Sequence, residues 1–137
     1  MACWLVKSEP STWSWTDQVK ASRTNWSGVR NHQAAANLRA MKLGDRCFFY
    51  HSVDEKSIVG IVEVVRTHYP DPEDKTGKFV AVDVKALTPF KAPVTLAQIK
   101  ADPKLKDMAL VRHSRLSVGP VDAASFAHIC KMGGVKA

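Results

Sequence analysis

The sequence predicts an α+β fold, a small, mostly antiparallel, curved sheet closed into a β-barrel and flanked by helices. Three observations point there. The strongest strand patterns, residues 46–52, 58–65 and 79–87, follow one another through short polar or Pro/Gly-rich links, as antiparallel neighbours do. Helix N-cap signals at Ser14, Asn31, Thr95 and Asp122 fall on either side of that run, so helices must cover the ends of the sheet. A chain of 137 residues, 45% hydrophobic and 24% charged, has the size and composition of one domain, 1–137, able to bury a genuine core.

In order, Cys3 to Lys7 is a short apolar run that reads as a first strand, ended by Ser8-Glu9-Pro10, where the proline holds Glu9 extended. Ser14 caps a helix through about Ala21, with Asp17 in its first turn complementing the dipole. Asn31 caps a second helix to Met41, on which Ala34, Leu38 and Met41 share a face. Leu43-Gly44-Asp45 is a turn, and Arg46 to Ser52 reads as a buried strand. Ile58 to Val65 is β-branched and apolar on both faces, and the short link from Val53 to Ser57 makes the pair a hairpin, with Gly60 marking a bulge or a close backbone approach.

Tyr69 to Gly77 is a loop punctuated by two prolines and a glycine, and Phe79 to Leu87 alternates, placing Val80, Val82 and Val84 on one face. Thr95-Leu96-Ala97-Gln98 is a capping box that opens a helix stopped at Asp102-Pro103. Val111 to Val118 reads as a last strand-like segment, and Asp122 caps a final helix to Gly133, a C′ glycine. Closing such a sheet leaves few exposed edges.

Twenty Lys and Arg against thirteen Asp and Glu give a net charge of +7, which favours polyanionic partners. The start lacks a basic segment followed by a long apolar one, and no apolar run has the length of a membrane span, so a cytoplasmic protein with no membrane contact is expected. Cys3, Cys47 and Cys130 are odd in number and far apart, which fits reduced thiols in a core. The five histidines show no ligand spacing, so neither a metal nor a cofactor is expected, and no phosphate-binding or nucleophile motif occurs. His51 beside Ser52 has the residue types of a general-base pair, but adjacent strand residues point to opposite faces.

Trp26-Ser27-Gly28-Val29-Arg30-Asn31 has the composition of a recognition loop running into a helix N-terminus, where unpaired N–H groups favour electron-rich ligands. Trp26 can stack on a base, Asn31 can pair with a base edge, and Arg30 can meet the phosphate backbone. The alternative is that Trp26 plugs the core, Asn31 only caps and Arg30 is solvated. Arg112 and Arg115, flanking His113 and Ser114, are either phosphate contacts or a rim of cations lying along the fold. All four tryptophans lie in the first 26 residues, most of them for packing and at least one free for a ligand.

Taken together, Trp4-Leu5-Val6-Lys7-Ser8-Glu9-Pro10, Trp26 to Asn31, Gly44-Asp45, Tyr50-His51-Ser52, Tyr69-Pro70-Asp71, and Arg115-Leu116-Ser117-Val118 with Pro120-Val121 resemble the EVE domain family over essentially the whole chain. The resemblance implies a PUA-like barrel related to the YTH and SRA readers of methylated bases, and a role in binding a modified base in DNA or RNA. It would put Trp26 and Asn31 in the wall of a base pocket, Lys7 and Ser8 at its mouth, and Tyr50 and Ser52 on the facing strand. Arg115 and Ser117 would close the other side, with Val29 and Leu116 of the same motifs alongside. By residue type, Arg30, Arg112 and Arg115 are the candidates for phosphate contact. His32 stands where an aromatic is frequent in the family and Phe79 where Trp is frequent, which bears on base preference if either lines the pocket.

The expected activity is therefore non-enzymatic reading of one unstacked base. Two others compete: recognition of structured RNA by shape, and an enzyme acting on a nucleoside or nucleotide with His51 or His113 as acid/base. A monomer is the simplest expectation, the sequence being silent on oligomeric state.

Overall fold

Residues 2–136 are described by a computed structural model. Six strands and five helices follow in the order β1 (Cys3–Ser8), α1 (Trp15–Ala21), β2 (Arg23–Trp26), α2 (His32–Ala40), β3 (Arg46–His51), β4 (Ser57–Pro70), β5 (Val80–Thr95), α3 (Leu96–Ala101), α4 (Ala109–Arg112), β6 (Val118–Val121) and α5 (Ala123–Met132). The fold is α+β, with one sheet in the order β2-β5-β4-β3-β1-β6. Only β1 and β3 pair parallel; the other pairings are antiparallel.

The expected closed barrel is corrected to an open, curved sheet, because β2 and β6 stand at its two ends and do not pair. Its curvature follows from β4 and β5, 14 and 16 residues long, whose register shifts four times. Each such irregularity bends a strand and adds twist. The free edge of β6 is covered by α2, whose Asn37 amide donates to the Val118 carbonyl at 2.7 Å.

Alternate residues along β1 and β3 enter different cores, which is why both strands read as continuous apolar runs. Trp4, Val6, Cys47 and Phe49 pack under α2 with Leu38, Val62 and Val82. Leu5, Phe48 and Tyr50 face the other way, against Phe126 and Ile129 of α5 and Ile99 of α3.

Caps at Ser14, Asn31, Thr95 and Asp122 form as expected, with both hydrogen bonds of the capping box at Ser14/Asp17 and Thr95/Gln98. The hairpin of β3 and β4 forms too, and Gly60 marks both a register shift and a close approach: a Cβ built there would lie 2.6 Å from the Trp15 ring.

Three local expectations are corrected. Arg23–Trp26, where no strand is expected and whose last residue opens the expected loop, is an edge strand on β5. Residues 111–118 do not form a strand. Leu105, Met108 and Leu110 are buried together, and the chain between them coils helically, His113 N–H donating to the Ala109 carbonyl at 2.7 Å, so that extended structure begins only at Val118. Gly133 is the C-cap of α5 in right-handed backbone, and Gly134 takes the positive φ, +75°.

Candidate nucleic-acid interface

Beyond the C-terminal end of β1 the chain must reverse, and the reversal builds one wall of a cleft. Pro10 begins a turn in which Thr12 and Trp13 N–H groups both donate to the Glu9 carbonyl, at 3.0 and 2.8 Å. The Ser8 hydroxyl donates to the Trp13 carbonyl and closes the turn. The half-buried Trp13 is then fixed by its indole N–H, 2.9 Å from Gln18 Oε1. Gln18 is fully buried on α1 and spends its amide N–H on the Ser22 carbonyl. A buried amide with both ends engaged is a rigid support.

The opposite wall is β2 with the segment after it. Trp26 sits edge-on to Phe49, centroids 5.6 Å apart, and keeps 8% of its surface exposed. Gly28 takes φ +81°, a backbone region that glycine enters without strain, which lets its N–H reach Asp71 Oδ2 at 2.8 Å. The same oxygen accepts from Arg30 at 2.9 Å, and Ser27 Oγ donates to Glu73. Burial alone would raise the Asp71 carboxyl, but hydrogen bonds from Arg30 and from the Glu73 and Gly28 N–H groups hold it below its ordinary value.

Between the walls lies a cleft of about 680 Å³. Its polar lining comes from Lys7, Ser8, Glu9, Thr12, Thr24, Asn25, Ser27, Arg30, Glu73 and Ser117, its flat surfaces from Trp13 and Trp26, with Gly28 and Val29 between. The volume is that of a site for one small ligand. Lys7 borders the cleft, and its ammonium donates to the Ser114 carbonyl at 2.8 Å and lies 5.7 Å from the ring centre of Tyr50, its neighbour on β3. Burial pulls the Lys7 pKa below its ordinary value.

Of the residues expected to form the site, Lys7, Ser8, Trp26, Val29, Arg30 and Ser117 meet here. Tyr50 does not, because it points to the other face of the sheet. Ser52 only donates its backbone N–H to the Ser8 carbonyl, at 2.9 Å. Asn31 spends its side-chain oxygen on the Ala34 N–H as the cap of α2 and is outside the cleft lining. Asn31 and Leu116 border a separate groove with Arg112 and Arg115. Arg30 is bound to Asp71 rather than free for a phosphate. His32 and Phe79 are outside the cleft lining and stack on each other at 5.1 Å.

Trp13, Glu9 and Glu73 were not anticipated as site residues, although Glu9 belongs to the Lys7-Ser8-Glu9-Pro10 run that carries the resemblance. His51 is engaged, its Nε2 accepting from the Trp15 N–H at 2.9 Å and its Nδ1 facing Glu55. Among the described residues no group of His, Cys, Asp and Glu could hold a metal ion, and no helix is long and apolar enough to cross a membrane.

The sequence matches the EVE domain over residues 2–132. Thymocyte nuclear protein 1 of Homo sapiens is 34% identical over 94% of this chain and 72% of its own length. Two solved structures are similar throughout. One, from Rhodopseudomonas palustris, is 58% identical with a TM-score of 0.92, covering 98% of this chain and 94% of that one. The other is the human THYN1 protein in complex with 5-methylcytosine-containing DNA, 32% identical with a TM-score of 0.89 over 100% of both chains. A YTH domain of Zygosaccharomyces rouxii, 18% identical with a TM-score of 0.59 over 96% of this chain and 86% of its own, shares the fold.

Proposed function

The chain belongs to the EVE domain family, and we propose that it is a non-enzymatic reader that takes one modified base of DNA or RNA into the cleft between Trp13 and Trp26. The observation that carries this reading is the pairing of two indoles with a ring of hydrogen-bonding groups in a cleft of about 680 Å³. Each stacked base gains on the order of 1–3 kcal/mol from an aromatic face. A methyl group on the base adds buried apolar area, at about 25 cal/mol per Å². The complex of the human relative with 5-methylcytosine-containing DNA supports a modified pyrimidine as the first ligand to try.

The polar groups favour a particular edge. Glu9 and Glu73 are acceptors, and a carboxylate suits the exocyclic amine of cytosine or adenine better than the carbonyl of thymine. Thr12, Thr24, Asn25 and Ser117, which line the cleft, are the matching donors. No histidine lines the cleft, and the engagement of His51 by Trp15 and Glu55 supports binding without turnover. A single domain spanning residues 1–137, acting as a cytoplasmic monomer, completes the proposal.

The test is a panel of modified and plain nucleosides and short single strands titrated against tryptophan fluorescence, with each nucleoside assayed for turnover. Saturable quenching by a methylated, amine-bearing base without conversion is the expected outcome; preference for folded RNA over every nucleoside, or turnover, would replace the reading.

A further inference from the structure

Leu116 and Ser117 are adjacent in the chain yet open onto different hollows. Ser117 lines the cleft, whereas Leu116 lines a groove on the other side. The facing segment divides the same way, with Arg30 on the cleft and Asn31 on the groove. The two hollows are thus separated by a ridge about one residue thick, and consecutive Cα atoms are only about 3.8 Å apart.

The groove consists of two overlapping depressions, of about 430 and 330 Å³, that share Gln33, Arg112, His113 and Leu116. Its floor is apolar, supplied by Met108, Leu116 and Val121. Its rim is the exposed run Arg112-His113-Ser114-Arg115. Arg112 faces Asp107 in a pair with both side chains mostly exposed, 63% and 70%, which a phosphate can compete for. Arg115 has no carboxylate within 4.0 Å among the described residues. The rim is tied to the cleft, since the Lys7 ammonium holds the Ser114 carbonyl.

We propose that this groove receives the nucleotide next to the one whose base occupies the cleft, its phosphate against Arg112 and Arg115 and its base over the Leu116 and Val121 floor. The inference rests on the cleft being the base site. A strand leaving the cleft carries one negative charge per nucleotide. On the far wall it would meet Glu73, with Asp74 behind and Asp71 already paired to Arg30, whereas over the ridge it meets two guanidinium groups, the groove's own carboxylates being engaged, Asp107 by Arg112 and Asp122 by the Ser125 N–H. Charge therefore directs it across the ridge.

The experiment compares 5-methyl-2′-deoxycytidine with single strands carrying one 5-methylcytosine, using the full chain and the R112A/R115A variant. Both positions are exposed, and a thermal melt checks that the variant folds. The wild-type chain is expected to bind the strand about tenfold or more tightly than the nucleoside, an advantage that shrinks with salt. In R112A/R115A the strand should fall to near the nucleoside, with nucleoside affinity unchanged. An abasic residue should weaken wild-type binding severalfold on one flank of the modified base and not on the other. Unchanged strand affinity in R112A/R115A, or equal effects of abasic residues on both flanks, would overturn the groove assignment while leaving nucleoside binding intact. Failure of the wild-type chain to bind the nucleoside at all would instead overturn the cleft reading.

Discussion

Arg30 and Asp71 form an ion pair at 2.9 Å in which the carboxylate side chain is entirely buried and the guanidinium is 40% exposed. Asp71 Oδ2 also accepts from Gly28, so a single carboxylate shapes the segment that follows Trp26. Asp71→Asn keeps the size and loses the charge. It is expected to cost about 1–3 kcal/mol in urea unfolding and to weaken nucleoside binding severalfold, because buried donors lose a charged acceptor. Unchanged binding would mean that this clamp does not shape the cleft.

The same pair sets a pH dependence. The Asp71 carboxyl is held below its ordinary value in the folded chain, so its contribution is fully present above the unfolded value near 4 and is lost as pH falls through the lower, folded one. Wild-type stability should therefore fall more steeply than that of Asp71→Asn below about pH 4 in acid titrations followed by circular dichroism. Parallel curves would contradict the assignment.

Gln18 supports Trp13 from within the protein. Gln18→Leu removes the acceptor of the indole N–H and the donor to Ser22 at once. We expect a loss of about 1–3 kcal/mol in stability from the polar groups left unpaired. Nucleoside affinity should drop even where the protein remains folded, which a titration well below the melting temperature would read. A stability loss with unchanged affinity would make Gln18 a packing residue only.

Gly60 lies under Trp15, whose ring is itself packed against Phe49 at 5.3 Å and has little room to retreat. Gly60→Ala places a carbon where the ring stands, and about 1–3 kcal/mol of destabilisation is expected by thermal melting. A neutral substitution would show that the ring moves freely.

The chain has two tyrosines, and both phenols are raised. Burial raises Tyr50; burial, followed by the hydrogen bond to Asp83, pushes Tyr69 up to about 12. Native protein should show little phenolate absorbance at about pH 10.5, where unfolded chains titrate, and stability should decline as pH rises from about 10 through the folded values. Immediate phenolate formation on alkalinisation would refute it.

Much of this architecture was legible in local chemistry. Caps at Ser14, Asn31, Thr95 and Asp122 depend on one side chain and a nearby N–H, so the sequence announces them. Strand β2 was not legible, because Arg23-Thr24-Asn25-Trp26 has no apolar alternation and is extended only through its ladder to β5. Whether the sheet closes depends on the accumulated register shifts in β4 and β5, of which only the one at Gly60 has a local signal. Lys7, Ser8, Trp26 and Ser117 of the cleft lining lie in the motifs that carry the family resemblance. Asn31 and Arg30 each find a partner inside the protein, the Ala34 N–H and Asp71; the cap is a local signal, whereas the Asp71 pair joins residues 41 apart in the chain. Trp13 was missed because its orientation comes from Gln18, through a contact that periodicity does not reveal.

The most direct measurement is the affinity ratio for one single strand with and without its 5-methyl group, taken across a salt series. Trp26 packs into the core, so leucine is the substitution of choice at both indoles, and the Trp13→Leu/Trp26→Leu chain is compared with wild type after its fold is checked. The wild-type ratio should exceed one and hold constant as salt rises from about 50 to 300 mM, while the double substitution brings it to about one at every concentration. A ratio that survives loss of both rings would contradict the claim that this aromatic cleft reads the base.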